Sequence, residues 1–211
     1  MLIDHWPLLG LSLSTPDLDL RLPTDEELAE LAEVASQGIH PDDYMPFVTP
    51  WTAGTPKEVA RTVVQSFWRR AGEWQPDNWS LGLAVFKDGR PIGIQSMRSK
   101  NFAITREVAS GSWVGRRHQG QGYGTQMRVA ILELAFTGLS AESAVSGALM
   151  DNEASLAVSR KLGYRLDGIN REVVQGKFRL DQRLRLDRLD WRAPFSVPIN
   201  GLEGCLSEFG L

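Results

Sequence analysis

Cysteine is nearly absent from this sequence: Cys205 is the only one in 211 residues. An intramolecular disulfide is thereby excluded, as is a thiolate cluster for a metal, and a reducing compartment fits best. No apolar run reaches the roughly 18 residues that a membrane helix needs. The first residues include Asp4 and His5 and lack a basic segment, so they do not read as a secretory leader. Positive charge is not in surplus either. Twenty-three Lys and Arg face 26 Asp and Glu, and a net charge of −3 with a pI near 5.7 argues against a generic nucleic-acid surface. A local basic patch stays open. Repeats and low-complexity linkers are missing as well. What remains is ordinary globular composition, 42% hydrophobic and 23% charged, in a length suited to one domain with a sizeable core. The expectation is a soluble cytoplasmic protein without membrane, metal or nucleic-acid partners.

Periodicity gives the order of elements. "LDLRLP" (18–23) alternates leucines with charges and predicts a half-buried strand. Residues 24–38 predict a helix, with Thr24 at the cap, Glu27 three residues on, and Gly38 past the end. Residues 39–56 carry four prolines and no period, which predicts a loop, and 57–74 predict a second helix. Two strands flank Asp88-Gly89 within 80–99, a strong hairpin signal, and 106–115 predict a third strand. Beyond three alternate glycines, "QMRVAILELAF" lacks helix breakers and sets Met127, Ala130, Ile131 and Leu134 on one face. A buried strand (143–150), a short helix (152–163) capped by Asn152, and a last hairpin about Gln175-Gly176-Lys177 follow. Trp68, Trp74 and Trp79 are expected in the core. Residues 193–211 have apolar side chains but little pattern, so they read as a C-terminal tail after a single domain (1–192). Val197, Ile199, Leu202, Leu206 and Phe209 suggest packing on a partner subunit in a homo-oligomer.

The glycines Gly120, Gly122 and Gly124 stand where a strand hands over to a helix. Two nucleotide motifs fail there on single residues. A dinucleotide fingerprint needs glycine where Thr125 stands, and a Walker A loop from Gly115 needs lysine where Gln121 stands. A strand–glycine–helix junction still presents free amides and the positive end of a helix dipole, which suit a pyrophosphate.

The stretch Gln119-x-x-Gly122-x-Gly124, with Arg117-x-x-Gly120-x-Gly122 overlapping it, resembles motif A of the GNAT N-acyltransferases. The wider text, "GSWVGRRHQGQGYGTQMRVAILELAF" followed by "DNEASLAVSRKLGYRLDG", resembles the RimJ/RimL-like branch that acylates ribosomal-protein N-termini. The pattern over residues 14–192 is closer still to actinobacterial members, one of them described as a succinyltransferase. The resemblance implies an α/β (α+β) GNAT fold. Its mixed, mostly antiparallel sheet would have about seven strands and about four helices, in the order β-α-α-β-β-β-α-β-α-β-β. It implies acetyl-CoA or succinyl-CoA as co-substrate, no metal, and an amine acceptor on a protein or small molecule. Residue by residue, it implies pantetheine pairing at Trp113, Val114 and Gly115. Pyrophosphate contacts fall on the amides of Gln119, Gly120, Gln121, Gly122, Tyr123, Gly124 and Thr125. Asn152 and Ser155 would lie beside CoA.

Catalysis is written less fully. Acyl transfer from a thioester needs a neutral amine, an oxyanion donor and a proton for the leaving thiolate. Neutralising a lysine at pH 7 costs about 4.6 kcal/mol, an α-amine only about 1.4 kcal/mol. The tyrosine usual in the resembled family is replaced by Ser159, so Ser159 or Tyr164 is the expected acid. Glu107 is the expected base. The loop 39–56, with Asp42, Asp43, Tyr44, Phe47 and Trp51, is expected to face the acceptor and to favour a cationic amine. A succinyl carboxylate would call for a cation, for which Arg98, Lys100 and Arg106 are placed. A CoA-binding sensor or assembly module without turnover is the alternative.

Overall fold

Alternating strands and capped helices assemble as their local signals dictate. The computed structural model describes residues 1–211, with nine strands in one sheet. The strands are β1 (Ser12–Ser14), β2 (Asp19–Arg21), β3 (Asn78–Lys87), β4 (Arg90–Lys100) and β5 (Glu107–Val114). They continue with β6 (Ser143–Leu149), β7 (Arg165–Val174), β8 (Lys177–Asp187) and β9 (Ile199–Asn200). Their spatial order is β7-β8-β6-β5-β4-β3-β2-β1-β9. Every neighbouring pair is antiparallel except β5 and β6. The helices are α1 (Asp25–Ser36), α2 (Pro56–Gly72), α3 (Phe102–Thr105), α4 (Tyr123–Glu133) and α5 (Glu153–Lys161). A π turn at Leu134–Gly138 extends α4. The mixed, mostly antiparallel sheet is thus as expected, with β1, β9 and α3 added. Those three are two to four residues long, too short to show a period.

Local chemistry fixes the ends. The Thr24 hydroxyl accepts from the Glu27 amide while the Glu27 carboxylate accepts from the Thr24 amide, a complete capping box. Thr55 and Glu58 repeat the device, and Pro56 fills the first helical position, where no amide is needed. At the β3–β4 turn Asp88 and Gly89 both have positive φ, 50° and 75°, as a type I′ hairpin requires.

Each face of the sheet buries its own apolar set. Helices α1 and α2 lay Leu28, Leu31, Val59, Val63 and Phe67 over Ala84, Phe86 and Ile94. The larger core fills the opposite face, where α4 supplies Met127, Ala130 and Ile131 against Leu81, Leu83 and Leu184. Trp74 and Trp79 are buried there, but Trp68 is 63% exposed, contrary to expectation. On α2, the buried positions Val59, Val63 and Phe67 define the inward stripe, and Trp68 falls one residue off it.

The C-terminal residues, expected as a tail, pack into their own chain's core. β9 pairs with β1, and Cys205 and Phe209 are fully buried. Phe209 meets Trp74 and Trp79 edge-on at centroid distances of 5.6 and 5.0 Å, and Trp74 Nε1 donates to the Glu208 carbonyl at 2.8 Å. Gly201 lies so near the Gly10 carbonyl that a Cβ would stand 2.2 Å from its oxygen. The apolar tail residues satisfy an internal demand, because without them two tryptophans and the end of α4 would face water. Phe209→Ala should therefore cost about 3–5 kcal/mol in urea unfolding. A loss under about 1 kcal/mol would show that these residues only rest on the surface.

Candidate active site

The parallel pair β5 and β6 is joined for only three residues. Glu107, Val108 and Ala109 pair with Ser143, Ala144 and Val145, and pairing then stops although β5 runs to Val114 and β6 to Leu149. Beyond Ala109 the strands diverge. The β6-facing edge of Ser110 to Val114 is left without a strand partner, while its other edge stays paired to β4. A wedge with an unpaired strand edge can accept an extended, hydrogen-bonding ligand as a substitute strand.

The wide end of the wedge leads to the glycine loop. Gly115 opens a 3-10 turn at Arg116–His118, and Gly120 and Gly122 take positive φ of 74° and 84°. The Gln119 side chain ties the loop down, donating to the carbonyls of Ile39 (2.6 Å) and Val114 (2.8 Å). Gly122 is the N-cap of α4, and no side chain caps this helix. The amides of Gly120 through Gly124 donate to no acceptor in the protein. Left-handed glycines, consecutive free amides and an uncapped helix of 11 residues form an anion cradle. Beside it, Lys87, Arg90, Arg116, Arg117 and His118 line a second cavity of about 530 Å³.

A larger cavity, about 820 Å³, opens on the α2 face of the sheet along β3, β4 and β5. Strand register organises its floor in rows. One row is Ser96 and Gly111, continued under Arg70 by Gly82, and the next is Ser80, Arg98, Ala109 and Val145. Phe47, Trp51 and Trp113 form one wall, their rings tilted against one another at centroid distances of 5.4 and 5.7 Å. Cations occupy the remainder: Arg69 and Arg70 from the last turn of α2, and Arg98 and Lys100 from β4. Burial and the neighbouring charges of Arg69 and Arg98 hold the Arg70 guanidinium below its ordinary pKa.

The structure distributes the expected residues unevenly. Glu107 lines the large cavity, but its carboxylate is ion-paired to Arg185 and accepts from the Ser143 hydroxyl at 2.9 Å. Trp113 lines the same cavity with its ring, while Val114 and Gly115 lead from the wedge to the loop. Asn152 caps α5, accepting from the Ser155 amide at 3.2 Å, and donates to the Pro46 carbonyl at 3.4 Å. It therefore pins the proline-rich loop to the mouth of the wedge. Ser155 and Thr125 are partly exposed on the first turns of α5 and α4. Ser159 is fully buried and Tyr164 is 6% exposed within the main core, both hydroxyls without a partner; neither lines the cavity. Asp42 and Asp43 are exposed and do not line it either. Arg106 adopts φ of 48° and lies over the Phe102 ring, away from Arg98 and Lys100.

Asp181 escaped the sequence reading because it sits in a strand full of alternating charges. Side-chain alternation puts it on the face of Arg185 and the Glu107 carboxylate, yet it is only 6% exposed. Its carboxylate fills the space over Gly147, where a Cβ would lie 2.9 Å from an oxygen, and accepts from Asn170 at 3.4 Å. Burial pushes its pKa above the ordinary carboxylate value, and nearby Glu172 adds to this.

The description "Acetyltransferase (GNAT) domain" matches residues 17–165. The chain belongs to the GNAT acetyltransferase family. Its fold is shared with Mycobacterium smegmatis RimJ in complex with CoA-disulfide, at 15% identity and a TM-score of 0.69 over 95% of each chain. A RimL ribosomal L7/L12 α-N-protein acetyltransferase with coenzyme A gives 18% identity and a TM-score of 0.64 over 82% of this chain and 95% of that one. The microcin C7 self-immunity acetyltransferase MccE, solved with acetyl-CoA and AMP, gives 18% and 0.67 over 82% and 93%. No group of three or more His, Cys, Asp or Glu side chains is placed to hold a metal.

Asp181 gives a pH prediction whose sign follows from its burial. A carboxyl with a raised folded-state pKa binds its proton more tightly when folded, so its ionisation costs stability as pH rises through that value. Asp181→Asn removes this cost. The variant's gain in Tm over the native chain should be larger near about pH 7 than near about pH 4. An equal difference at both values would mean that the carboxyl is not desolvated.

Proposed function

We propose that this GNAT protein is an acyl-CoA-dependent N-acyltransferase that moves an acetyl or succinyl group from a CoA thioester to an amine. The carrying observation is the row of unsatisfied amides at Gly120–Gly124, standing at the wide end of an unpaired strand edge. A pyrophosphate supplies acceptors for those amides, and a pantetheine amide supplies partners for the strand edge at Trp113 to Gly115. Gly120 to Gly124 thus hold the phosphates, with Asn152 and Ser155 flanking the arm; the expected Gln119 and Thr125 amides donate instead to the carbonyls of Arg116 and Gly122. The arginines beside the loop suit the remaining phosphate of CoA.

In this reading the thioester lies where β5 and β6 part, next to the large cavity, and the amine enters from that cavity. Its nitrogen attacks the thioester carbonyl within one ternary complex. A C–N bond forms, the C–S bond breaks, the amine loses a proton and the departing thiolate gains one. Free N–H groups on the β5 edge are suited to the developing oxyanion. Glu107 reaches the cavity but is held by Arg185, and Ser159 and Tyr164 lie in the core, so we assign both proton transfers to cavity water. An α-amine suits that arrangement better than lysine, because its neutral form costs about 3.2 kcal/mol less at pH 7. The acceptors of the RimL relative, protein α-amines, agree with this choice. A cytoplasmic location, where acyl-CoA is made, completes the proposal.

Two measurements test it. The wild-type protein should release free thiol continuously from acetyl- or succinyl-CoA with at least one α-amine acceptor. Tight CoA binding without release across such amines would favour a non-catalytic sensor. Gly122→Val keeps open space around its side chain but forces a β-branched residue to a φ of 84°. It should weaken CoA binding in calorimetry by about tenfold or more while the fold is retained. Unchanged affinity would remove the loop from the binding site.

A further inference from the structure

The large cavity is basic in a chain whose net charge is −3. Arg69, Arg70, Arg98 and Lys100 line it, and none of them has a carboxylate within ion-pair distance. Two acidic side chains share the lining. Glu107 is neutralised by Arg185, and Glu73 is exposed at the end of α2.

Arg70 is the built element of this cluster. Its guanidinium lies flat over Gly82 of β3, where a Cβ would approach Nη1 to 3.0 Å, Cδ to 3.2 Å and Cζ to 3.3 Å. Any larger residue at that position would lift Arg70 off the sheet. Its recorded polar partner is the Ser66 hydroxyl at 3.2 Å, which satisfies one of five donors. A helix C-terminus attracts one or two cations by its dipole, which accounts for Arg69 and Arg70 in sequence. It does not account for Arg98, which comes from β4 and faces the same space. Three guanidinium groups turned toward one cavity repel one another, and a bound anion relieves that repulsion.

We infer that this cavity binds an acceptor amine that carries a carboxylate or phosphate, held by Arg70 and Arg98. The inference rests on the acyl-transfer reading for the word acceptor, while the anion site itself stands on the cavity alone. Strand register supports the placement. Arg98 is paired with Ala109, the last residue before β5 and β6 part, so an anion on Arg98 lies one strand from the point where the wedge opens. Size supports the acceptor as the anion's source. About 820 Å³ matches a whole small-molecule or peptide-end site, far beyond the need of a short acyl chain. The expected partnership of Asp42 and Asp43 with a cationic amine is reversed: those carboxylates stay outside, and the charges that face the substrate are positive.

Matched pairs test the inference. Binding is read by calorimetry, in the presence of CoA, for β-alanine against β-alaninamide and O-phosphoethanolamine against ethanolamine. The tetrapeptide amide Ser-Glu-Glu-Ala is compared with Ser-Gln-Gln-Ala in the same way. The wild-type protein should prefer the anionic member by about tenfold or more, as for a lost charge-assisted hydrogen bond. That ratio should fall toward one in Arg70→Gln and in the exposed-site variant Arg98→Gln. Equal binding of both members in the wild type overturns the inference, as does a preference that both variants retain. A parallel arm compares succinyl-CoA with acetyl-CoA. If the arginine variants change only that comparison, the anion belongs to the acyl group and the acceptor inference fails. Anion preference without thiol release would keep the site and discard acyl transfer, so the two readings fail separately.

Discussion

Parallel pairing between β5 and β6 that ends after three residues is the constraint on which the remaining geometry depends. A strand edge left bare in the middle of a sheet is costly unless something occupies it, because its amides and carbonyls have no partners. The divergence supplies the edge, and the glycine loop at its wide end supplies free amides for charge. Both the α5 cap and the proline-rich loop converge on the same opening through Asn152, which bonds to each. Had β6 stayed in register with β5, the sheet would be more regular and there would be no site.

The two faces of the sheet divide the labour. One face is sealed by α4, α5 and the C-terminal residues, and its buried groups include Ser159, Tyr164 and Arg128. The other face is only partly covered by α1 and α2, and the uncovered part is the basic cavity. Two separate positive regions therefore stand in an acidic protein. One is built from backbone amides and the other from guanidinium groups.

Much of this was legible in the sequence. Thr24 and Asp88-Gly89 announced their cap and turn, because such signals act within four residues, whereas Thr55 and Pro56, within the expected loop, prove to cap and open α2. Gly120, Gly122 and Gly124 announced the loop for the same reason. What was hidden depends on contacts between distant segments. Nothing in "SEFGL" shows that Phe209 meets Trp74 and Trp79, since the pairing crosses more than a hundred residues. Strand alternation alone does not separate Arg98 in the cavity from Arg106 outside it. The left-handed turn at Arg106 changes its direction, and local propensity does not anticipate that turn in an arginine. The Tyr44 hydroxyl and Asp181 carboxylate likewise became buried through tertiary packing that no window of residues displays.

Hydrogen exchange with and without CoA tests the central claim most directly. The account predicts that CoA slows exchange at the amides of Gly120–Gly124 and along Ser110–Val114. Protection confined to other segments, or no protection at all, would contradict the assignment of the wedge and its glycine loop as the CoA site.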